Sequence, residues 1–265
     1  TMPPPSSGGL HLIQMLNILE SFDIKSLKHN SPSYVLLLNE VMKYAYADRS
    51  QYLGDPDYVD VPVNKLISKD YAKNISKKIT IDNVTKSDDI KAGMYIDLES
   101  DETTHFSIAD KYGNLVSTTY TLNSSFGSKV VIAKTGILMN NEMDDFSSAP
   151  GVPNQFGLLG GKFNEIQPSK RPLSSMTPTI VFKNNSPFLV LGTPGGSRII
   201  TAVLQNFLNI AEFEMNLADS INKPRVHQQW YPDLLFLEKG FDALHAEKIT
   251  ELGQEVYFMD PGTAL

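Results

Sequence analysis

Glu102-Thr103-Thr104-His105 sets an acid ahead of two hydroxyl residues at the point where an alternating strand pattern begins. A cut in front of Thr103 would give that residue its own base. The α-amine of a terminal threonine has an ordinary pKa of about 7.7 to 8.0, so near neutrality a useful fraction can take the proton of the hydroxyl beside it. Read by themselves, the four residues describe a threonine-rich strand edge equally well, and that is the simpler account.

Other polar groups could converge on Thr103. Along Thr119-Tyr120-Thr121-Leu122-Asn123 side chains alternate, so Thr119, Thr121 and Asn123 share a face that either meets solvent or lines a site. Glu142, Asp144 and Asp145 follow the apolar run Ile137-Leu138-Met139, and such carboxylates suit an ammonium ligand or plain solvation. Ser174 and Ser175 sit between apolar residues, where their hydroxyls can bind a carboxylate or only their own backbone. Gly192-Thr193-Pro194-Gly195-Gly196-Ser197-Arg198 joins a strand to a helix. Its two adjacent glycines let backbone N–H groups point at one spot, an arrangement fit for an oxyanion, and it lacks the spacing and lysine of a phosphate loop. His105, His227 and His245 are scattered without metal-ligand spacing and read as structural; Trp230 reads as core or turn packing.

The elements that must hold these groups change character near residue 100. Leu10, Ile13, Leu16 and Leu19 recur at helical spacing after Ser6-Ser7-Gly8-Gly9, and a second helix is expected from Pro32 to a glycine stop at Leu53-Gly54. Short polar helices and turns follow to Lys78. Beyond Asp101, strands are expected at 106–110 and 115–122 around Lys111-Tyr112-Gly113-Asn114, and at 179–182 and 188–191 around a five-residue turn, Lys183 to Pro187. A helix from Ser197 to Phe213, another from Asp242 to Leu252 and a strand from Glu255 to Met259 complete the pattern. The stretch from Asn140 to Pro168, with Gly151, Gly157, Gly160 and Gly161, is longer than a packing connection needs and has the length of a functional lid. Helices outside and strand pairs inside give layers.

Composition bounds the chemistry. A chain of 265 residues, 41% hydrophobic, can bury a full core. No apolar run reaches the roughly 18 residues of a membrane helix. With no cysteine there is no disulfide, thiol nucleophile or Cys-ligated metal, and the net charge of -7 argues against a nucleic-acid partner. Neither a cofactor nor a metal is expected.

In this order, Thr103-Thr104-His105, Thr119 to Asn123, Asn140-Asn141-Glu142-Met143-Asp144-Asp145-Phe146, Pro172-Leu173-Ser174-Ser175-Met176 and Pro194-Gly195-Gly196-Ser197-Arg198 closely resemble bacterial γ-glutamyltranspeptidases. Met2 to Gly9 and Tyr44-Ala45-Tyr46-Ala47-Asp48-Arg49-Ser50 join the resemblance, which spans essentially the whole chain. It implies an α+β, αββα four-layer sandwich of the N-terminal-nucleophile hydrolase type, incomplete here, made as one precursor that cuts itself between Glu102 and Thr103. Residues 1–102 would be the C-terminal part of the large subunit, mainly helical, and 103–265 a small catalytic subunit truncated at its end. Thr103 would be the nucleophile, with Thr121 bonded to its hydroxyl and Gly195 and Gly196 holding the oxyanion. Asn123, Glu142 and Asp145 would grip the substrate α-ammonium; Ser174 and Ser175 would bind its α-carboxylate.

The same resemblance implies glutathione and other γ-glutamyl compounds as donors, with water, amino acids or dipeptides as acceptors. It also implies the remainder of the large subunit as a partner, including an arginine for the α-carboxylate that nothing here matches. Neither nucleic acid nor a membrane span belongs to the picture, and the location would be periplasmic or secreted. Phe156 stands where close relatives often carry a tyrosine, whose missing hydroxyl would loosen lid closure. Two alternatives remain: a self-cleaving amidase of the cephalosporin-acylase type acting on glutaryl amides, and an inactive fragment.

Overall fold

The computed structural model describes residues 1–81, 83–90, 103–149 and 152–261. Glu102, on the acid side of the expected cut, and Gly151 in the long loop lie outside them.

Five helices come first: α1 (Gly8–Leu19), α2 (Ile24–Leu27), α3 (Pro32–Tyr52), α4 (Val63–Leu66) and α5 (Lys69–Ser76). α3 is the axis of the molecule. Ser31 caps it by accepting the N–H of Tyr34, and Pro32 occupies the first turn, where no N–H is needed. Residues on every face of α3 are buried, from Tyr34, Leu37, Leu38 and Val41 to the polar Asn39, Glu40, Lys43 and Arg49. Gly54 does not end it by a left-handed turn, because the chain leaves α3 through an extended Leu53. The glycine is needed for space: a Cβ there would collide with the carbonyl of Phe163.

Two antiparallel hairpins follow. β1 (Thr104–Ala109) pairs with β2 (Leu115–Tyr120), and β3 (Thr179–Lys183) with β4 (Ser186–Leu191). The second turn is tighter than its five-residue sequence reading. Asn184 and Asn185 both adopt positive φ, 53° and 62°, so two residues suffice and the strands extend to Lys183 and from Ser186. Ser117 ties the hairpins together: its Oγ donates to the Leu191 carbonyl at 3.1 Å and accepts the N–H of Thr179 at 3.1 Å.

The remainder comprises α6 (Ile199–Ala211), α7 (Leu217–Asn222), α8 (Ala243–Glu251) and a sheet ordered β5 (Val226–His227), β6 (Leu235–Glu238), β7 (Val256–Met259). β5 and β6 are additions to the sequence reading. α6 opens two residues later than expected because Gly196–Arg198 forms a 3-10 turn first. α1, α3 and α6 share one apolar core that reaches Trp230, whose indole N–H donates to the carbonyls of Ser87 and Ile90.

A buried cation fastens α3 to the last sheet. Lys43 Nζ donates to the Thr85 carbonyl and to Gln254 Oε1, both at 2.8 Å, and pairs with Asp233 at 2.8 Å. Removing one partner of a buried pair leaves the other charge without compensation. Lys43→Met is expected to lower the unfolding free energy by about 3 kcal/mol in urea titrations. Lys25→Met, which breaks the exposed pair with Glu214, is expected to leave the midpoint essentially unmoved.

Candidate active site

The β1–β2 register begins the site. His105 pairs with Thr119 and Thr104 with Tyr120, so one step further Thr103 comes opposite Thr121. Both threonines line the same pocket. Next along β1, the His105 ring meets Thr119 Oγ1 at 2.8 Å and Ser107 Oγ at 3.0 Å. Gly192 gives that ring its room, since a Cβ there would run into it unless the ring moved. After β2 the chain turns sharply at Asn123, φ 75°, whose N–H donates to Thr121 Oγ1 at 2.8 Å. The Asn123 side chain donates to the carbonyl of Asn141 at 3.2 Å, lacing the end of the strand to the acidic segment.

That segment is a 3-10 turn, Glu142–Asp145. Asp145 faces the pocket, with part of its surface open and protein atoms crowding the rest. Burial is the main reason its carboxyl is pushed up to about 8, helped by Glu142 and opposed by Arg49. Burial also raises Glu142, which is hydrogen-bonded to Asp145, so the pair holds a proton well above the ordinary carboxylate range.

The long loop folds over this turn. The Gln155 N–H donates to Asp144 Oδ2 at 2.9 Å, and Asn154 Oδ1 accepts from the N–H groups of Phe156 and Leu158. Phe156 and Leu158 thereby become an apolar wall of the pocket, and Gln229 Nε2 donates to the Phe156 carbonyl at 3.3 Å.

The opposite wall is built from α1 outward. Gly8 and Gly9 allow the start of the helix to lie against Met176 and Thr177 and against Thr1 and Met2, where Cβ atoms would collide. The N–H and Oγ of Ser7 both donate to the Ser174 carbonyl, at 2.8 and 2.7 Å. Ser174 and Ser175 then face the pocket beside Gly196. Gly195 and Gly196 have φ of 130° and 53°, left-handed values that side chains rarely adopt.

The pocket encloses about 330 Å³ of empty space, its open mouth included. It gathers Thr103, Thr121, Asn123, Asp145, Ser174, Ser175 and Gly196. Glu142 stands outside the lining, hydrogen-bonded to Asp145, and Gly195 lies one residue back from it. Sequence reasoning gave no role to Arg49. Its Nε donates to Ser7 Oγ at 3.0 Å and its Nη2 to Ser175 Oγ at 3.2 Å, and burial pushes its pKa down from the ordinary value. Among the described residues no group of His, Cys, Asp and Glu could hold a metal ion. The lining offers hydroxyls, one carboxylate that can meet a cation, and a glycine turn that can meet an anion.

Comparison with known proteins places the chain as a whole. A family model of gamma-glutamyltranspeptidase matches residues 1–264. The glutathione hydrolase proenzyme of Escherichia coli is 52% identical over 256 residues, 97% of this chain and 44% of its own length. The chain thus spans less than half the length of that relative. A γ-glutamyltranspeptidase mutant from Helicobacter pylori is 52% identical with a TM-score of 0.58, over 59% of this chain and 84% of that one. A cephalosporin acylase from Bacillus halodurans superposes with a TM-score of 0.81 at 25% identity, over 98% of this chain and 44% of that one. The fold is the α+β N-terminal-nucleophile hydrolase fold that the sequence resemblance implied.

The raised carboxyl of Asp145 has a measurable consequence. A carboxyl whose folded pKa exceeds its unfolded value binds more protons folded than unfolded, so stability falls as pH rises between the two, here from about 4 to about 8. Asp145→Asn is expected to flatten that decline in urea unfolding between pH 5 and pH 8. An unaltered slope would place the proton elsewhere.

Proposed function

The chain belongs to the gamma-glutamyltranspeptidase family, and we propose that it carries the catalytic centre of an enzyme that opens γ-glutamyl amides, glutathione among them, with Thr103 as nucleophile. The observation that carries this reading is the pocket itself. Two threonines share one lining with a carboxylate that suits an α-ammonium, a serine pair that suits an α-carboxylate, and a glycine turn.

The chemistry needs a base, and the described lining contains no imidazole or amine. Scission between Glu102 and Thr103 supplies one, because it converts the Thr103 amide nitrogen into a primary amine. That amine takes the proton from Thr103 Oγ1 as the oxygen attacks the γ-carbonyl carbon. The N–H groups of Gly195 and Gly196 hold the resulting oxyanion, and loss of one such donor costs about 10²- to 10³-fold in rate. Thr121 Oγ1 accepts from Asn123 N–H, and in this reading its hydroxyl hydrogen is donated to the nucleophile. Collapse breaks the C–N bond, and the leaving amine receives the proton from the Thr103 ammonium. The γ-glutamyl ester on Thr103 is then resolved by water, or by the amine of an amino acid or dipeptide.

Asp145 receives the α-ammonium, with Glu142 behind it and Asn123 beside it, while Ser174 and Ser175 receive the α-carboxylate. The rest of the large subunit completes the site in the full-length protein. Export to the periplasm or the exterior goes with this reading; among the described residues no helix is long and apolar enough to cross a membrane. The structural likeness to a cephalosporin acylase keeps glutaryl amides as a second reading, but such substrates have no ammonium and give Asp145 nothing to bind.

In the full-length protein Thr103→Ala is expected to abolish both self-cleavage and turnover, because one hydroxyl serves each. Two normal subunits on a denaturing gel of that variant would refute the assignment. Asp145→Asn is expected to raise KM for a γ-glutamyl anilide about tenfold, the scale of a hydrogen bond to a charged group, and to leave a glutaryl anilide untouched. Equal losses on both substrates would remove the ammonium role.

A further inference from the structure

Arg49 is a fully buried guanidinium reached by no carboxylate at ion-pair distance among the described residues. A buried charge left in that condition is costly, and the protein surrounds this one with hydroxyl acceptors instead. Its Nε donates to Ser7 Oγ at 3.0 Å and its Nη2 to Ser175 Oγ at 3.2 Å.

A guanidinium has donors only. Each serine oxygen it touches must accept, so each hydroxyl must spend its single hydrogen on another partner. For Ser7 that partner is visible: its Oγ donates to the Ser174 carbonyl at 2.7 Å. For Ser175 the remaining direction is the pocket that it lines. We infer that Arg49 is the positioning residue of the carboxylate subsite, turning the Ser175 hydroxyl into an obligate donor toward the substrate and, through Ser7, fixing the peptide that carries Ser174.

This inference rests on the reading of Ser174 and Ser175 as the α-carboxylate site. It adds an electrostatic element to that site, because a carboxylate accepted by Ser175 becomes a near counter-charge for a cation that otherwise feels only the more remote Asp145 among the described residues. Arg49 touches no substrate atom in this scheme. Its effect is carried by the hydroxyl it orients.

The experiment compares γ-glutamyl anilide with 4-aminobutyryl anilide, the analogue without the α-carboxylate, in full-length processed enzyme. Arg49→Met is expected to lower the ratio of kcat/KM between the two substrates about tenfold or more, the scale of a charge-assisted hydrogen bond, mainly through KM for the γ-glutamyl donor. Arg49→Lys, which keeps the charge but loses the fork, is expected to fall between wild type and Arg49→Met. Ser175→Ala serves as the reference. A Ser175→Ala that shifts the ratio while Arg49→Met lowers both activities equally makes Arg49 a packing residue and overturns the inference alone. If Ser175→Ala also leaves the ratio unchanged, the carboxylate site itself is wrong and the inference goes with it. Should Arg49→Met fail to fold, Arg49→Lys and Ser7→Ala carry the test, and an unchanged ratio in both overturns it.

Discussion

A guanidinium in the interior obliges its surroundings to supply acceptors, and around Arg49 that obligation joins three separate stretches of chain. α3 delivers the cation, the segment before α1 delivers Ser7, and the loop before β3 delivers Ser175. None of these stretches is near another in sequence. Their meeting fixes one wall of the pocket, and the glycines that open α1 let the backbone come close enough for it to happen. Of the buried polar groups on α3, Arg49 is therefore part of the site's construction, while Lys43 braces the last sheet. They cost desolvation, which the apolar core shared by α1, α3 and α6 offsets.

The facing wall follows a different principle. It is built from turns, each held by side chains that bond to backbone N–H groups: Asn154 under Phe156 and Leu158, Asp144 on Gln155, Thr121 on Asn123. Such bonds fix a loop without regular structure, since every buried N–H must find an acceptor. The long loop thus packs Phe156 against the interior through specific contacts. Where a tyrosine would add a hydroxyl, this chain keeps only the ring, and the Phe156 carbonyl, held by Gln229, secures the turn.

The regular elements were legible in the sequence because periodicity and capping agree there. α1, α3, α6 and α8 start and stop within a few residues of the apolar pattern, and both hairpins were located. β5 and β6 were not, for a strand of two residues and one of four carry too little alternation to be read. Gly54 was read as a helix stop and proved to be a space for the Phe163 carbonyl, a difference that only tertiary contact decides. For the site, motif order through the family resemblance nominated the residues, and the fold brings seven of those nine onto one lining. Arg49 stayed invisible because a charged residue buried on a helix looks, in sequence, like one on a solvated face. Asp48-Arg49-Ser50 interrupts the apolar stretch of α3 just where a polar rim would be expected.

The electrostatics of the pocket argue for the shape of what fills it. Asp145 and Arg49 lie close enough to perturb one another, yet they do not form an ion pair: the carboxyl keeps a raised pKa and the guanidinium a lowered one. Two opposite charges held apart in a poorly solvated site define a field between them. A zwitterionic head group placed with its ammonium at Asp145 and its carboxylate at Ser175 lies along that field and supplies each charge with the partner it lacks. An uncharged head group would leave both as they are, and a purely anionic one would satisfy Arg49 through Ser175 while leaving the Glu142–Asp145 pair protonated. On the proposed reading, α3 on one side and the acidic turn on the other hold the two groups so that an amino-acid end is favoured over an acyl chain alone.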